Sequence, residues 1–299
     1  MSDTALIGLD WGTTSARAYR IDRDGAVLEA RTAPLGILNV RDGAFAAALD
    51  TLLGHWRDLG APRLACGMIG SRQGWIEAPY RDTPVSLAAL ADALARIPEA
   101  MLAIVPGVRT RDSRGLPDVM RGEETQILGA IDASEPLAFA VLPGTHSKWA
   151  RVEEGRLTAF TTFMTGELYG ALLDHTILGR LAAPGARASH DAHFTNGVAH
   201  GLRGGSVLHD MFGARTLALA GELPASGVAE WLSGLLIGHE LAAARAWMPA
   251  MESVTIVADD ALTDRYARAC AQAGLHAAPG ATHAAARGLW RIALATGRV

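Results

Sequence analysis

The stretch LDWGTTSARAY (residues 9–19) ends a short apolar run on an acid, Asp10, and follows it with Gly12, Thr13, Thr14 and Ser15. A turn of this composition offers backbone N–H groups beside a residue with no side chain, and hydroxyl donors around them, which makes a nest for an anion. The G-T-x-S pattern returns at Gly144, Thr145, His146 and Ser147 in LPGTHSKWARV, 132 positions later (144 − 12). Two such turns, one in each half of a duplicated chain, would grip the phosphates of a nucleotide across a cleft. No G-x-x-x-x-G-K-[ST] loop occurs, so this is not a Walker-type cradle. A bare carboxylate beside phosphates is repulsive. Asp10 is therefore read as a ligand of Mg²⁺, mostly through water, because Mg²⁺ keeps its hydration shell. For either turn alone, a Gly/Thr hairpin with an Asx-type bond is the simpler account; the matched pair favours the nucleotide. Arg17 and Lys148 follow the two turns, placed either to neutralise charge during transfer or simply to stand in solvent. His146 either donates to phosphate or shapes its turn.

Two further stretches have the chemistry to meet an acceptor. CGMIGSRQGWIEAPY (66–80) carries Ser71, Arg72, Gln73 and Trp75 where a strand ends, the place at which sheet loops line a crevice. A guanidinium for a carboxylate, an amide and a hydroxyl for sugar hydroxyls, and a ring face for a carbon chain are what a sugar acid needs. PDVMRGEETQ (117–126) carries Asp118, Arg121, Glu123 and Glu124 directly before helical ILGAI. Two acids at a helix start suit the helix dipole. They are equally candidates for a general base that takes a hydroxyl proton, the Glu123/Glu124 pair first and Asp118 as runner-up. His190, His193 and His200 match no standard zinc spacing and fall in what reads as a Gly-rich loop. Thr165 stands in a capping position at the start of a helix, and could equally face the substrate.

Alternating and buried patterns give the elements that must hold these residues. Residues 5–11 and 16–21 read as paired strands, and Asp24-Gly25 marks a hairpin to a third. Residues 44–59 place Phe45, Leu49, Leu52, Leu53, Trp56 and Leu59 on one helical face. A strand at 63–70, a helix at 86–97 and a strand at 101–108 follow. After a joint at 132–136 the three-strand meander repeats around Gly144 and Glu154-Gly155. Helices at about 165–181, 227–247, 261–273 and from about 282, with strands at 254–258 and 275–279, complete the second half. The expected organisation is α/β: two similar lobes of mixed sheet covered by helices, residues 1–134 and 135–299.

Composition bounds the function. The 299 residues are 49% hydrophobic and 19% charged, enough for large cores in two domains. A net charge of −4 without a Lys/Arg run argues against nucleic acid as partner. Two distant cysteines, Cys66 and Cys270, suit a reducing compartment. No basic start with a long apolar run suggests a signal peptide, and no apolar run nears the roughly 20 residues a bilayer span needs. The expectation is a cytoplasmic protein without membrane contact; the oligomeric state, a homodimer included, stays open.

The motifs LDWGTTSARAY, CGMIGSRQGWIEAPY, PDVMRGEETQILG, LPGTHSKWARV and FMTGELYGALLDHTIL (163–178) together resemble the 2-dehydro-3-deoxygalactonokinases, within the sugar-kinase and actin superfamily. The resemblance implies an actin-like ATPase fold, related to ribonuclease H. It also implies phosphorylation of a 2-keto-3-deoxy sugar acid at its terminal hydroxyl by MgATP, in galactonate catabolism. The segment VTIVADDALTDRYARACAQAG is similar to the family's adenosine-binding segment, except that Ala258-Asp259-Asp260 stands where the family often has glycine. GEE at 122–124 also resembles the G-x-E-E segment of exopolyphosphatases of this superfamily, where a glutamate directs the attacking water. The rival functions are thus a phosphohydrolase of the same fold and a non-catalytic sensor of ATP or sugar acid.

Overall fold

The computed structural model describes residues 4–132, 134–182 and 191–297; His190 and, in the expected joint, Ala133 lie outside the described residues. The chain divides into two compact units, Met1–Ala140 with Ala150–Thr161 and Gly280–Val299, and Val141–Trp149 with Thr162–Pro279.

The first unit opens with the expected meander, β1 (Leu6–Trp11), β2 (Ala16–Ile21) and β3 (Val27–Ala33). It continues through α1 (Phe45–Leu53), β4 (Arg63–Gly67), β5 (Tyr80–Asp82), α2 (Leu87–Ala91), β6 (Ala95–Ile97), β7 (Leu102–Ile104), β8 (Gly107–Arg111), β9 (Pro117–Met120) and α3 (Glu123–Ala130). Six strands form one mixed sheet in the order β3-β2-β1-β4-β7-β6, and β5-β8-β9 form a small second one. β1 is buried along its whole length. Its alternation sends Ile7, Leu9 and Trp11 into the core with Leu49, Leu53 and Trp56 of the α1 region. Gly8 and Asp10 therefore point to the other face.

Four expected elements differ. The helix expected at 86–97 ends at Ala91, and Ala95–Ile97 turns into a strand antiparallel to β7. Pro98 follows Ile97 and disfavours helical geometry there; Ile97 has φ −122°. The strand expected at 101–108 is two strands in two sheets, broken at Pro106, which has no N–H to donate. The strand expected at 63–70 stops at Gly67, whose φ of +97° only glycine adopts easily, and a 3-10 turn follows. The helix expected at 44–59 tightens to a 3-10 turn from Gly54.

β10 (Leu137–Leu142), β11 (Ser147–Glu153) and β12 (Arg156–Phe163) repeat the meander, and the second large sheet runs β12-β11-β10 and then two later strands, β13 (Ser253–Ile256) and β14 (His276–Pro279). Between β12 and β13 lie α4 (Thr165–His175), α5 (Asp191–Gly201), α6 (Val207–Asp210), α7 (Gly213–Leu219) and α8 (Val228–Trp247); α9 (Asp260–Gln272) joins β13 to β14. His193 and His200 stand on α5, not in a loop. The glycines that suggested a loop are there for packing. Added Cβ atoms at Gly197 and Gly201 would come 2.2 and 2.3 Å from the backbone of α8, and at Gly234 and Gly238 of α8 2.1 and 2.5 Å from that of α5. α9 is capped by Asp259, whose carboxylate accepts the Leu262 N–H at 2.9 Å. That bond accounts for an acid where glycine was the family habit.

The last helix, α10 (Ala284–Ala295), belongs to the first unit. Leu289 lies on Gly8, Trp290 on Gly25, and the backbone of α10 meets Gly129 of α3 so closely that a Cβ there would stand 2.0 Å from Ala284 O. α10 and α3 thus cover the β1 face that carries Asp10. Among the described residues, no helix is long and apolar enough to cross a membrane.

Candidate active site

The first turn is held by its carbonyls. The N–H groups of Gly36, Ile37 and Leu38 donate to the carbonyls of Thr14, Gly12 and Thr13, each at 3.1 Å, and the Asn39 amide donates to Thr14 O at 2.9 Å. A side chain at Gly36 would stand 2.3 Å from the backbone of Thr13 and Thr14. The electronegative edge of the turn is therefore occupied by protein, which suits a turn whose other edge meets an anion. Thr13 and Thr14 are exposed, and Gly12 and Ser15 are half-buried.

Asp10 is the last residue but one of β1 and is only 9% exposed. Its cross-strand neighbours are Arg17 and Cys66. Arg17 Nη1 stands 3.5 Å away, the Cys66 thiol 4.0 Å and the amide of Gln126 3.4 Å. Burial raises the Asp10 pKa; Arg17 opposes this and the charge of Glu123 adds to it. Arg17, the cation paired with the buried carboxylate, is itself half-exposed and offsets the burial only in part.

Gly122, at φ +106°, lets the start of α3 come against the end of β4, where a Cβ would lie 2.9 Å from Gly67 Cα. This brings Glu123 and Gln126, three residues apart on one helix face, to Asp10. Glu123 is half-buried and accepts the Arg121 N–H at 2.9 Å. Glu124 differs: it is fully buried and accepts the Gly122 N–H at 2.6 Å and the Thr125 hydroxyl at 2.8 Å. Burial, with the charge of Glu123, pushes its pKa up to about 7. Asp118 sits in β9, opposite Thr110, and accepts the Val119 N–H at 2.7 Å.

β1 and β4 are parallel, so the loop after β4 begins beside the Asp10 turn. Gly74 allows its fold, since a Cβ would stand 2.0 Å from Ile69 O. Ser71 is buried, Gln73 is exposed, and Trp75 stacks on Phe45 with ring centroids 6.0 Å apart. Arg72 reaches outward, 84% exposed, with Glu77 at 3.7 Å. From beneath, Arg121 donates to Ala78 O at 2.8 Å and stacks on Tyr80 at 4.4 Å, tying this loop to the segment of Glu123. Gln126 was not among the candidates from sequence, and Arg121 was noted in the same segment without a role. The three-residue spacing of Gln126 from Glu123 was the signal for the first; a lone arginine before Gly122 gave none for the second.

In the second unit, Gly144 is half-buried, Thr145 and His146 are exposed, and Ser147 and Lys148 are buried on a central strand of the sheet rather than at a solvated edge. The N-terminus of α4 rests on this turn. The Glu167 N–H donates to Thr145 O at 3.0 Å, His146 pairs with Glu167, and a Cβ on Gly166 would stand 2.3 Å from Gly144 O. Met164, not Thr165, caps α4; the Thr165 hydroxyl donates to Glu240 instead. Gly144, Thr165, Gly166, Ile237, Arg265 and Tyr266 line a cavity of about 690 Å³. Among the described residues, no group of three or more His, Cys, Asp or Glu is placed to hold a metal ion.

The architecture matches solved structures across nearly the whole chain. A xylulose kinase from Lactobacillus acidophilus covers 98% of it, and the match covers 89% of that chain, with a TM-score of 0.52 at 8% identity, a likeness of fold alone. The fold is thus the mixed α/β fold of actin-like ATPases and sugar kinases. A crystal structure of a Sinorhizobium meliloti protein, provisionally named a 2-dehydro-3-deoxygalactonokinase, superposes with a TM-score of 0.86 at 37% identity, covering 97% of this chain and 98% of that one. The 2-dehydro-3-deoxygalactonokinase of Escherichia coli (strain K12) is 37% identical over 88% of each chain. The chain belongs to the 2-keto-3-deoxy-galactonokinase family, whose sequence model matches residues 10–292.

Proposed function

We propose that this carbohydrate kinase transfers the γ-phosphoryl group of ATP to the terminal hydroxyl of 2-dehydro-3-deoxy-D-galactonate, giving the 6-phosphate and ADP in galactonate catabolism. The observation that carries the reading is the first turn, with its carbonyls tied down by residues 36–39 and Asp10 buried beside it. The phosphate turns in this reading are Gly12–Ser15 and Gly144–Ser147, and the adenosine would take the cavity under α9. Arg17 and Lys148 add positive charge to the turns, and His146 a donor.

Asp10 fits a cation: a buried carboxylate whose nearest positive group is 3.5 Å off and half-exposed gains from a second one. Mg²⁺ held there would offset the charge of the phosphates. Glu123 is the general base we favour; it would accept the proton of the acceptor hydroxyl as the new O–P bond forms and the bond to ADP breaks. Glu124 is already committed to Gly122 and Thr125, which leaves Asp118 as the alternative. Ser71, Arg72, Gln73 and Trp75 would hold the sugar acid, Arg72 by its carboxylate.

A coupled ADP-release assay over aldonic and 2-keto-3-deoxy sugar acids tests this. Turnover should depend on the acid, with 2-dehydro-3-deoxy-D-galactonate the best acceptor. Equal phosphate release with and without any acid would turn the reading into a hydrolase.

A further inference from the structure

Glu240 lies in the middle of α8 and is 3% exposed. No cation pairs with it among the described residues. A buried carboxylate without a cation is expensive to keep, and one near a nucleotide phosphate chain is also repulsive. Its compensation is a set of donors from three elements. Trp149 Nε1 donates to it at 2.7 Å, the Tyr266 hydroxyl at 2.9 Å, and the Thr165 hydroxyl more closely still. Tyr266 also bonds Ser147 at 2.9 Å. Ser147 and Trp149 lie two residues apart on one face of β11, directly after the second turn. Thr165 is followed by Gly166, whose backbone presses on Gly144 O. Gly144, Thr165, Gly166 and Tyr266 all line the cavity.

We propose that Glu240 is a positioning residue for the nucleotide: this one carboxylate fixes the second phosphate turn, the start of α4 and the face of α9 around the cavity. The inference rests on the cavity being the nucleotide site. Burial raises the proton affinity of Glu240, and its donors offset this only in part. Only a deprotonated carboxylate accepts from all three neighbours without turning one of them. Trp149 N–H is a donor only. In a Glu240→Gln protein the amide oxygen would keep Trp149 and the NH₂ would face Thr165 and Tyr266, whose hydroxyls must reverse.

The test is Glu240→Gln, with Tyr266→Phe beside it, in the full chain. Removing a buried charge at constant volume should leave the unfolding temperature unchanged or raise it. The KM for ATP should rise about tenfold while that for the sugar acid moves by less than about twofold. Tyr266→Phe should shift the ATP KM in the same direction by less. Titration with a non-hydrolysable ATP analogue should show the same loss without turnover. An unchanged ATP KM in Glu240→Gln overturns the proposal. So does a lowered unfolding temperature with both KM values and kcat changed together, which is what a merely structural role gives. If the analogue fails to bind the wild-type protein, the nucleotide reading of the cavity itself fails, and this inference falls with it.

Discussion

Gly144→Val separates folding from chemistry. A Cβ added at Gly144 meets nothing within 4 Å. The new side chain would enter the cavity rather than the core, and stability should change by less than about 0.5–1 kcal/mol. If the turn lays its backbone donors on phosphate, a valine there prevents close approach and forfeits a hydrogen bond that strengthens in the transition state. Loss of one such preorganised donor costs about 10²–10³ in kcat. Twenty-two residues on (166 − 144), Gly166 offers the control: its Cβ would stand 2.3 Å from Gly144 O, so Gly166→Val should unfold or displace α4 as well. The assay is steady-state kinetics with ATP and the sugar acid varied in turn, alongside thermal unfolding. Titration of the acid alone should give wild-type affinity in Gly144→Val. Full activity in a normally folded Gly144→Val protein would refute the second phosphate turn and leave the repeat as a relic of duplication.

Asp10→Asn should fold normally and lose nearly all turnover, chiefly in kcat; near-normal rates at saturating Mg²⁺ would remove it from the metal site. Arg72→Ala, at an exposed side chain paired with Glu77, should raise the KM for the sugar acid roughly thirtyfold, about 2 kcal/mol, and that for ATP little; a raised ATP KM alone would place Arg72 elsewhere. Glu124 titrates near 7 in the fold against 4.5 as its ordinary value, so the native state binds the extra proton and wild-type stability should fall as pH rises from about 4.5 through 7. Glu124→Gln, which keeps an acceptor for Gly122 and a donor for Thr125, should flatten that decline in denaturant titrations at pH 5 and 8; an unchanged slope would show Glu124 is not its source.

Both meanders, the Asp24-Gly25 hairpin and most helices were legible because they rest on local signals: alternation, Gly turns and a continuous apolar face. Where the reading failed, a distant partner decided. Ile97 has helical spacing from Leu90 and Leu94 but pairs with Leu102 across the sheet. Gly197 and Gly201 look like loop residues until α8 is laid on them. The candidate site shows the same division. Residue type and spacing singled out Asp10, both turns and the loop at 71–75. Which of two adjacent glutamates is fully buried is a matter of where α3 meets β4, and that contact has no sequence signature. Lys148 could not be told from a solvated lysine without knowing that β11 lies inside the sheet.

The return of α10 to the first unit sets an order of events on the ribosome. Some 140 residues separate Ala140 from Gly280 (280 − 140). At about 5–20 residues per second they take roughly 7–28 seconds to make. Throughout that interval the face of β1 with Gly8, and the side of α3 with Gly129, wait without the helix that covers them. Apart from the short Val141–Trp149 segment, the second unit is one continuous run ending at Pro279, so it has all its residues first. The half of the protein that is translated earlier therefore closes later. Nascent chains halted before Ala284 should show a protease-sensitive first unit beside a protected second one, and should be the species that chaperones engage.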